Sequence, residues 1–180
     1  MRLQHWIVAL AVLVAAAGLS VARLLPDRPA EPVASTTLGG LTATTSAARW
    51  AAMTGHDMSG SGFQMPAQMM PGAPEGDDLR LGVELTLANE DSAERTFDLP
   101  AEFSIVGGRL GDPRPLHADT FGKLPRLGAG SRVKGVLYFD VPAPAAGDPP
   151  LVVIWRRGGH ERRLAVDLTG AAPEHHTNGT

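Results

Sequence analysis

Met53, His56, Met58, Met65, Met69 and Met70 are the side chains whose types and spacing could do chemistry. Every methionine after Met1 falls between positions 53 and 70, interleaved with Gly, Pro, Ser and Asp, and the chain contains no cysteine. Thioether sulfur is polarizable, uncharged and needs no deprotonation. A group of thioethers with one imidazole therefore suits Cu(I), or Ag(I) in its place, better than the hard cations Mg²⁺, Ca²⁺ or Mn²⁺. A thiolate would bind Cu(I) more tightly, but outside the cytosol thiols pair or oxidise while Met and His stay available. Met53-x-x-His56-x-Met58 brings three soft donors close in sequence, and Gly55, Gly60 and Gly62 permit the tight backbone that would aim them at one ion. In an extended strand Met53 would face away from His56 and Met58, so such a site requires a turn. Met65 and Met69, four apart, would share one side of a helical turn after Pro66. Two or three thioethers with His56 would hold a Cu(I) ion, and the remainder would suit transfer between partners. His117, close to Asp119, is taken as an auxiliary ligand; a general base and a merely solvated loop histidine are its other readings.

The same methionines admit a second reading. Met is a flexible apolar filler, and a Met/Pro strip could cover an open face of the fold or meet a hydrophobic partner. Sacrificial oxidation is a third. Two observations favour ligands: Met is absent from the strand-like segments, where a filler should also occur, and its neighbours are Gly, Ser and Asp rather than Leu and Val.

The elements that would carry these residues begin with an export signal. Arg2 precedes a stretch from Leu3 to Ala22 with no Asp, Glu, Lys or Arg, which predicts a signal peptide or signal-anchor helix over residues 1–22. Ala15-Ala16-Ala17 and Ser20-Val21-Ala22 both offer small residues for cleavage, while Arg23 and Arg28 compete with Arg2 for the inner side of a membrane. The expectation is an extracytoplasmic protein, secreted or tethered to the outer face of the cytoplasmic membrane and touching it only through this segment. With no cysteine there is neither a lipid anchor at the cleavage site nor a disulfide, so the core alone must hold the domain together.

Residues 23–48, with Pro26, Pro29 and Pro32 and then Ser, Thr, Ala and Gly, have few large apolar groups and read as a flexible linker. Around Trp50 a short helix or a first edge strand is expected. Residues 49–170 read as one domain that includes the Met/His segment at 53–70, and residues 171–180 as a disordered tail. Leu79, Leu81, Val83, Leu85 and Leu87 alternate with Arg80, Glu84 and Thr86, the period of a half-buried strand. Thr96 to Val106 reads as one or two strands broken by Pro100, and Arg109 to Arg126 as a long surface loop with three prolines. Val133, Leu137, Phe139 and Val141 alternate again, Leu151 to Trp155 is a continuous buried run, and Leu164, Val166 and Leu168 close the series. Strands parted by turn signals, with no segment of helical period, predict an all-β antiparallel sandwich.

Three stretches resemble a known family: Leu85-Thr-Leu-Ala-Asn89 with its acidic turn; Phe103-Ser-Ile-Val106 with a Gly-Gly turn; and Leu127 through Gly130 and Gly135 to Pro142. Together they look like the immunoglobulin-like domain of secreted or anchored bacterial proteins of unassigned function. That resemblance spans about Leu79 to Leu168 and implies an immunoglobulin-like β-sandwich serving as a binding or assembly module. The Met/His segment, outside it, is similar to the ligand sets of exported copper carriers, which place His and Met on a β-sandwich surface. Those carriers show a second His-x-Met further on, and this chain has none after Met70.

A net charge of -3 and a pI near 6.0, with basic residues scattered, give no general attraction to nucleic acid. No Gly-x-Ser-x-Gly elbow, His-Glu-x-x-His helix or phosphate-binding loop occurs, so no enzyme is expected. His160, among Arg156, Arg157, Glu161 and Arg162, reads as a hairpin tip, and His175-His176 as part of the tail. The expected function is Cu(I) binding by an exported carrier, buffer or delivery partner of another exported copper protein. The alternative is a metal-free protein-binding module of the cell envelope.

Overall fold

Side-chain alternation of period two sets the long strands, and short turns with glycine at positive φ connect several of them. The computed structural model describes residues 30–51, 72–122 and 126–170. In chain order its elements are β1 (Ser35–Leu38), β2 (Leu41–Trp50), β3 (Asp78–Asn89), β4 (Arg95–Thr96), α1 (Leu99–Glu102), β5 (Phe103–Val106), β6 (Arg114–Pro115), β7 (Ala118–Asp119), β8 (Arg126–Leu127), β9 (Arg132–Pro142), β10 (Val152–Arg157), β11 (His160–Ala165) and β12 (Asp167–Leu168). A six-stranded sheet runs β1-β2-β3-β9-β7, with β12 pairing parallel to the far half of β2. A four-stranded antiparallel sheet runs β11-β10-β5-β6, and β4 pairs with β8.

The two larger sheets share one core. Leu81, Val83, Leu85 and Leu87 of β3 and Leu137, Phe139 and Val141 of β9 are buried from one side, and Phe103, Ile105, Val153, Trp155 and Leu164 from the other, in a single cluster. This is a β-sandwich, all-β and mainly antiparallel, as the alternation predicts. Phe103 and Trp155, directly opposed on β5 and β10, stack with centroids 5.7 Å apart.

The linker expectation for residues 23–48 is corrected from Ser35 onward. β1 and β2 are strands of the sandwich, with Leu38, Leu41, Ala43 and Ala48 buried in its core. Small residues suffice there because β2 lies against the leucines of β3. A bulge between Thr45 and Ala48 shifts the inward positions from odd to even numbers. Thr45, buried at this bend, donates its hydroxyl to the Ala165 carbonyl at 2.8 Å, tying β2 to β11.

Pro100 does not break a strand but starts a helical turn. Asp98 caps α1 by accepting from the Ala101 N–H, and proline fits the first turn because those N–H groups lack helical partners anyway. The stretch read as a surface loop holds β6 and β7 and buries Phe121. The phenyl ring lies over Gly135 of β9, where an added Cβ would stand 2.6 Å from ring carbons. Residues 1–22 and 171–180 lie outside the described residues, and among the described ones no helix is long and apolar enough to cross a membrane.

Candidate metal-binding site

Met53, His56, Met58, Met65, Met69 and Met70 all lie outside the described residues. His117 is described, and it stands at the sheet end that carries both attachments of that segment. β2 ends where the Ala51 N–H donates to the Arg80 carbonyl at 2.8 Å. The chain re-enters the sheet at Asp78, the first residue of β3, whose carboxylate is ion-paired at 3.4 Å with Arg114 of β6. His117 follows three residues after Arg114, between β6 and β7, and its N–H donates to the Tyr138 carbonyl of β9 at 2.9 Å.

Its imidazole meets a paired carboxylate. His117 Nδ1 stands 3.2 Å from Asp140 Oδ2, with the histidine side chain 39% exposed. Arg80 and Asp140 oppose one another in the β3–β9 register, and Arg80 donates from Nε to Oδ1 at 2.8 Å and from its terminal nitrogen to Oδ2 at 2.9 Å. Both sit mostly out of water, at 16% and 17% exposure. This two-bond fork holds the carboxylate in one orientation. Neither Asp140 nor Arg80 was singled out by sequence, because the strand alternation marks them only as outward-facing.

Along the same face Lys134 is ion-paired with Glu84 at 2.7 Å, and Ser46 donates to Glu84 at 3.0 Å. The Lys134 hydrogen bond, with help from Ser46, holds the Glu84 carboxyl below its ordinary range. At the far end Arg95 does the same for Asp91, aided by the Ser92 N–H. These are ion pairs on a solvated face. Among the described residues no group of three or more His, Asp or Glu could hold a metal. His117 therefore offers a partly exposed imidazole beside a carboxylate that Arg80 holds.

Two further polar clusters escaped the sequence reading. Glu102 of α1 accepts from Trp155 Nε1 at 3.0 Å and from Arg157 at 2.5 Å, and Arg157 also donates to the Thr96 carbonyl. Asn89 is buried at the end of β3, with carbonyls converging on its amide. Both are structural, joining loops to sheets. His160 lies in the first pair of the β10–β11 hairpin, opposite Arg157, behind Gly158 and Gly159 at positive φ. That is the tip its sequence predicts.

No protein-family model matches the chain, and no curated protein matches it. Among solved structures it is similar to an uncharacterized β-sandwich protein from Clostridium difficile 630, at 9% identity over 77% of this chain and 96% of that one, with a TM-score of 0.44. A GH20 exo β-N-acetylglucosaminidase from Vibrio harveyi is similar at 17% identity over 57% of this chain and 18% of that one, with a TM-score of 0.18.

Proposed function

We propose that this chain is an exported, immunoglobulin-like sandwich that binds Cu(I) through Met53, His56, Met58, Met65, Met69 and Met70 together with His117. It would serve as a carrier, buffer or delivery partner for another exported copper protein, in the extracytoplasmic space or tethered to the membrane by its N-terminal segment. Strand order supports the immunoglobulin-like reading. The run β2-β3-β9-β7 corresponds to A-B-E-D, and β11-β10-β5-β6 to G-F-C-C′, with β12 parallel to β2.

The observation that carries the metal reading is the position of His117 beside both attachments of the Met/His segment. Between β2 and the β7 edge lie three strand spacings, roughly 14 Å. His56 is the fifth residue past Ala51, and an extended chain covers about 3.4 Å per residue, so roughly 17 Å is within its reach. By that measure His56 and Met58 come within reach of the imidazole without moving any strand, while Met53, two residues past Ala51, spans about 7 Å. The soft donors of the segment are thioethers and one imidazole, since the chain has no thiol, and that donor set fits Cu(I).

The test is an anaerobic Cu(I) titration against a competing chelator, comparing the native chain with one carrying Met53, Met58, Met65, Met69 and Met70 all changed to Leu. Leucine keeps the apolar bulk and removes the sulfur. The expected result is chelator-competitive binding by the native chain and its loss in the variant. Equal affinity in both proteins would overturn the proposal and leave the metal-free envelope module.

A further inference from the structure

We infer that the outward face of the six-stranded sheet is a glycan-binding surface, with the Tyr138 ring as the platform for a sugar ring and the Arg80–Asp140 and Glu84–Lys134 pairs as partners for its hydroxyls. This goes beyond the Cu(I) reading and does not depend on it, because every group it uses lies on β2, β3, β7 or β9.

Tyr138 stands apart from the core. Every other described aromatic belongs to the core cluster or packs against it, whereas Tyr138 points outward on β9 between buried Leu137 and Phe139. Its ring leans across β3: a β-carbon at Gly82, its register partner, would stand 3.1 Å from Tyr138 Cε1 and 3.4 Å from Cδ1. On the other side β7 brings only Ala118 opposite it. Glycine inside a strand gives up packing and often marks a close approach to the sheet. Here it lets the ring settle low on the face, with no long side chain at either opposed position to shield it.

The ring lies between two rows of polar groups that are already held in place. One row, two residues further along β9, is Asp140 in the grip of Arg80. The other, two residues back, is Val136 opposite Glu84, whose Oε2 accepts from Ser46 at 3.0 Å and is ion-paired with Lys134 at 2.7 Å. Each row is roughly 7 Å from the tyrosine along the strand. Ser46 and Lys134 both go to Oε2, which leaves Glu84 Oε1 as an acceptor on the face. Arg49, exposed and opposite Gly82 on β2, adds a donor. Carboxylates and cations alternate across this surface, so it favours a neutral partner over a polyanion. A sugar is neutral, has an apolar C–H face to cover the ring, and carries hydroxyls that donate and accept. Hydroxyl bonds to ionised groups are the stronger kind, and groups fixed before binding lose little freedom on it. A flat sheet suits an extended, ribbon-like chain, as a β-linked glycan is.

The experiment titrates the metal-free full chain, ¹⁵N-labelled and carrying ¹³C-labelled tyrosine, with chitohexaose and separately with cellohexaose. At least one should bind saturably at roughly millimolar concentration. It should shift the Tyr138 ring signals and the amides of Gly82 and Glu84, and leave those of the β10–β11 hairpin in place. Tyr138→Ala should weaken binding about 10-fold, while Tyr138→Phe, which keeps the stacking ring, should stay within about 2-fold of the native chain. Glu84→Gln should cost about 3-fold, because an amide accepts less strongly than a carboxylate. The inference is overturned if neither oligosaccharide moves these signals, if the shifts fall on another face, or if a folded Tyr138→Ala chain binds as the native one does. Should Tyr138→Ala fail to fold, the native shifts and Glu84→Gln decide.

Discussion

A single carboxamide closes one end of the six-stranded sheet. Asn89, 1% exposed, donates from Nδ2 toward the carbonyls of Ala93, Leu127 and Gly128 at 2.8, 2.9 and 3.0 Å, and its Oδ1 accepts from the Asp91 N–H at 3.1 Å. Alanine would leave those groups without a partner, and each unsatisfied buried polar group costs about 1–3 kcal/mol. Asn89→Ala is therefore expected to lower stability by about 3 kcal/mol, read as a reduced urea midpoint at unchanged slope. A loss under about 0.5 kcal/mol would mean that water replaces the amide. The residue's place at a turn is legible in the sequence, since Asn89 opens an acidic run. Its partners at Leu127 and Gly128 are not, because no local pattern joins residues so far apart. Asp140 and His117 are hidden in the same way: each is an ordinary outward residue until β9 brings one beside the other.

Elements were legible where large apolar residues alternate without interruption. β3, β9, β10 and the buried end of β11 follow the leucine, valine and aromatic pattern, and the burial of Leu81, Val83, Leu85 and Leu87 matches it position by position. β2 was hidden for two physical reasons. Its inward residues include Ala43, Thr45 and Ala48, too small to stand out, and its bulge reverses the phase halfway along. β6 and β7, two residues each, are too short to show a period. Gly135 in β9 reads as a gap in the alternation, yet the gap is filled by Phe121 from the β7–β8 connection. Gly135→Ala would push a methyl into that ring, and overpacking of this kind costs about 1–3 kcal/mol. Phe121→Ala opens a cavity instead, at about 3–5 kcal/mol. In the double variant the methyl meets no ring, so its cost should be smaller by at least about 1 kcal/mol than the two single losses added together. Additive losses in urea unfolding would show that the ring does not pack on Gly135.

At the scale of the whole molecule the sandwich has no disulfide, so its stability comes from two sheets closing on one core. The place where that core begins along the chain is therefore a testable boundary. A start at residue 49, where composition changes from small and polar to strand-like, would remove Leu38, Leu41, Ala43 and Ala48 from the core, the Thr45 tie to Ala165, and the strand that covers the outer edge of β3. Burying a leucine contributes about 1.5–3 kcal/mol, and a domain of this size is stable by only about 5–15 kcal/mol in all. Two leucines, two alanines and a ten-residue strand exceed what the remainder can spare. A start at residue 31 keeps all of them, and Glu31–Thr180 forms one compact unit. The chain of residues 31–180 is thus expected to unfold in one cooperative thermal transition with dispersed amide resonances. The chain of residues 49–180 should show neither, since β3 would present an uncovered hydrogen-bonding edge and half-exposed leucines to water. A cooperative transition in the shorter chain would mean that β1 and β2 are appended to a core complete without them, and the soft-donor segment would then be joined at one end only to the stable part of the fold.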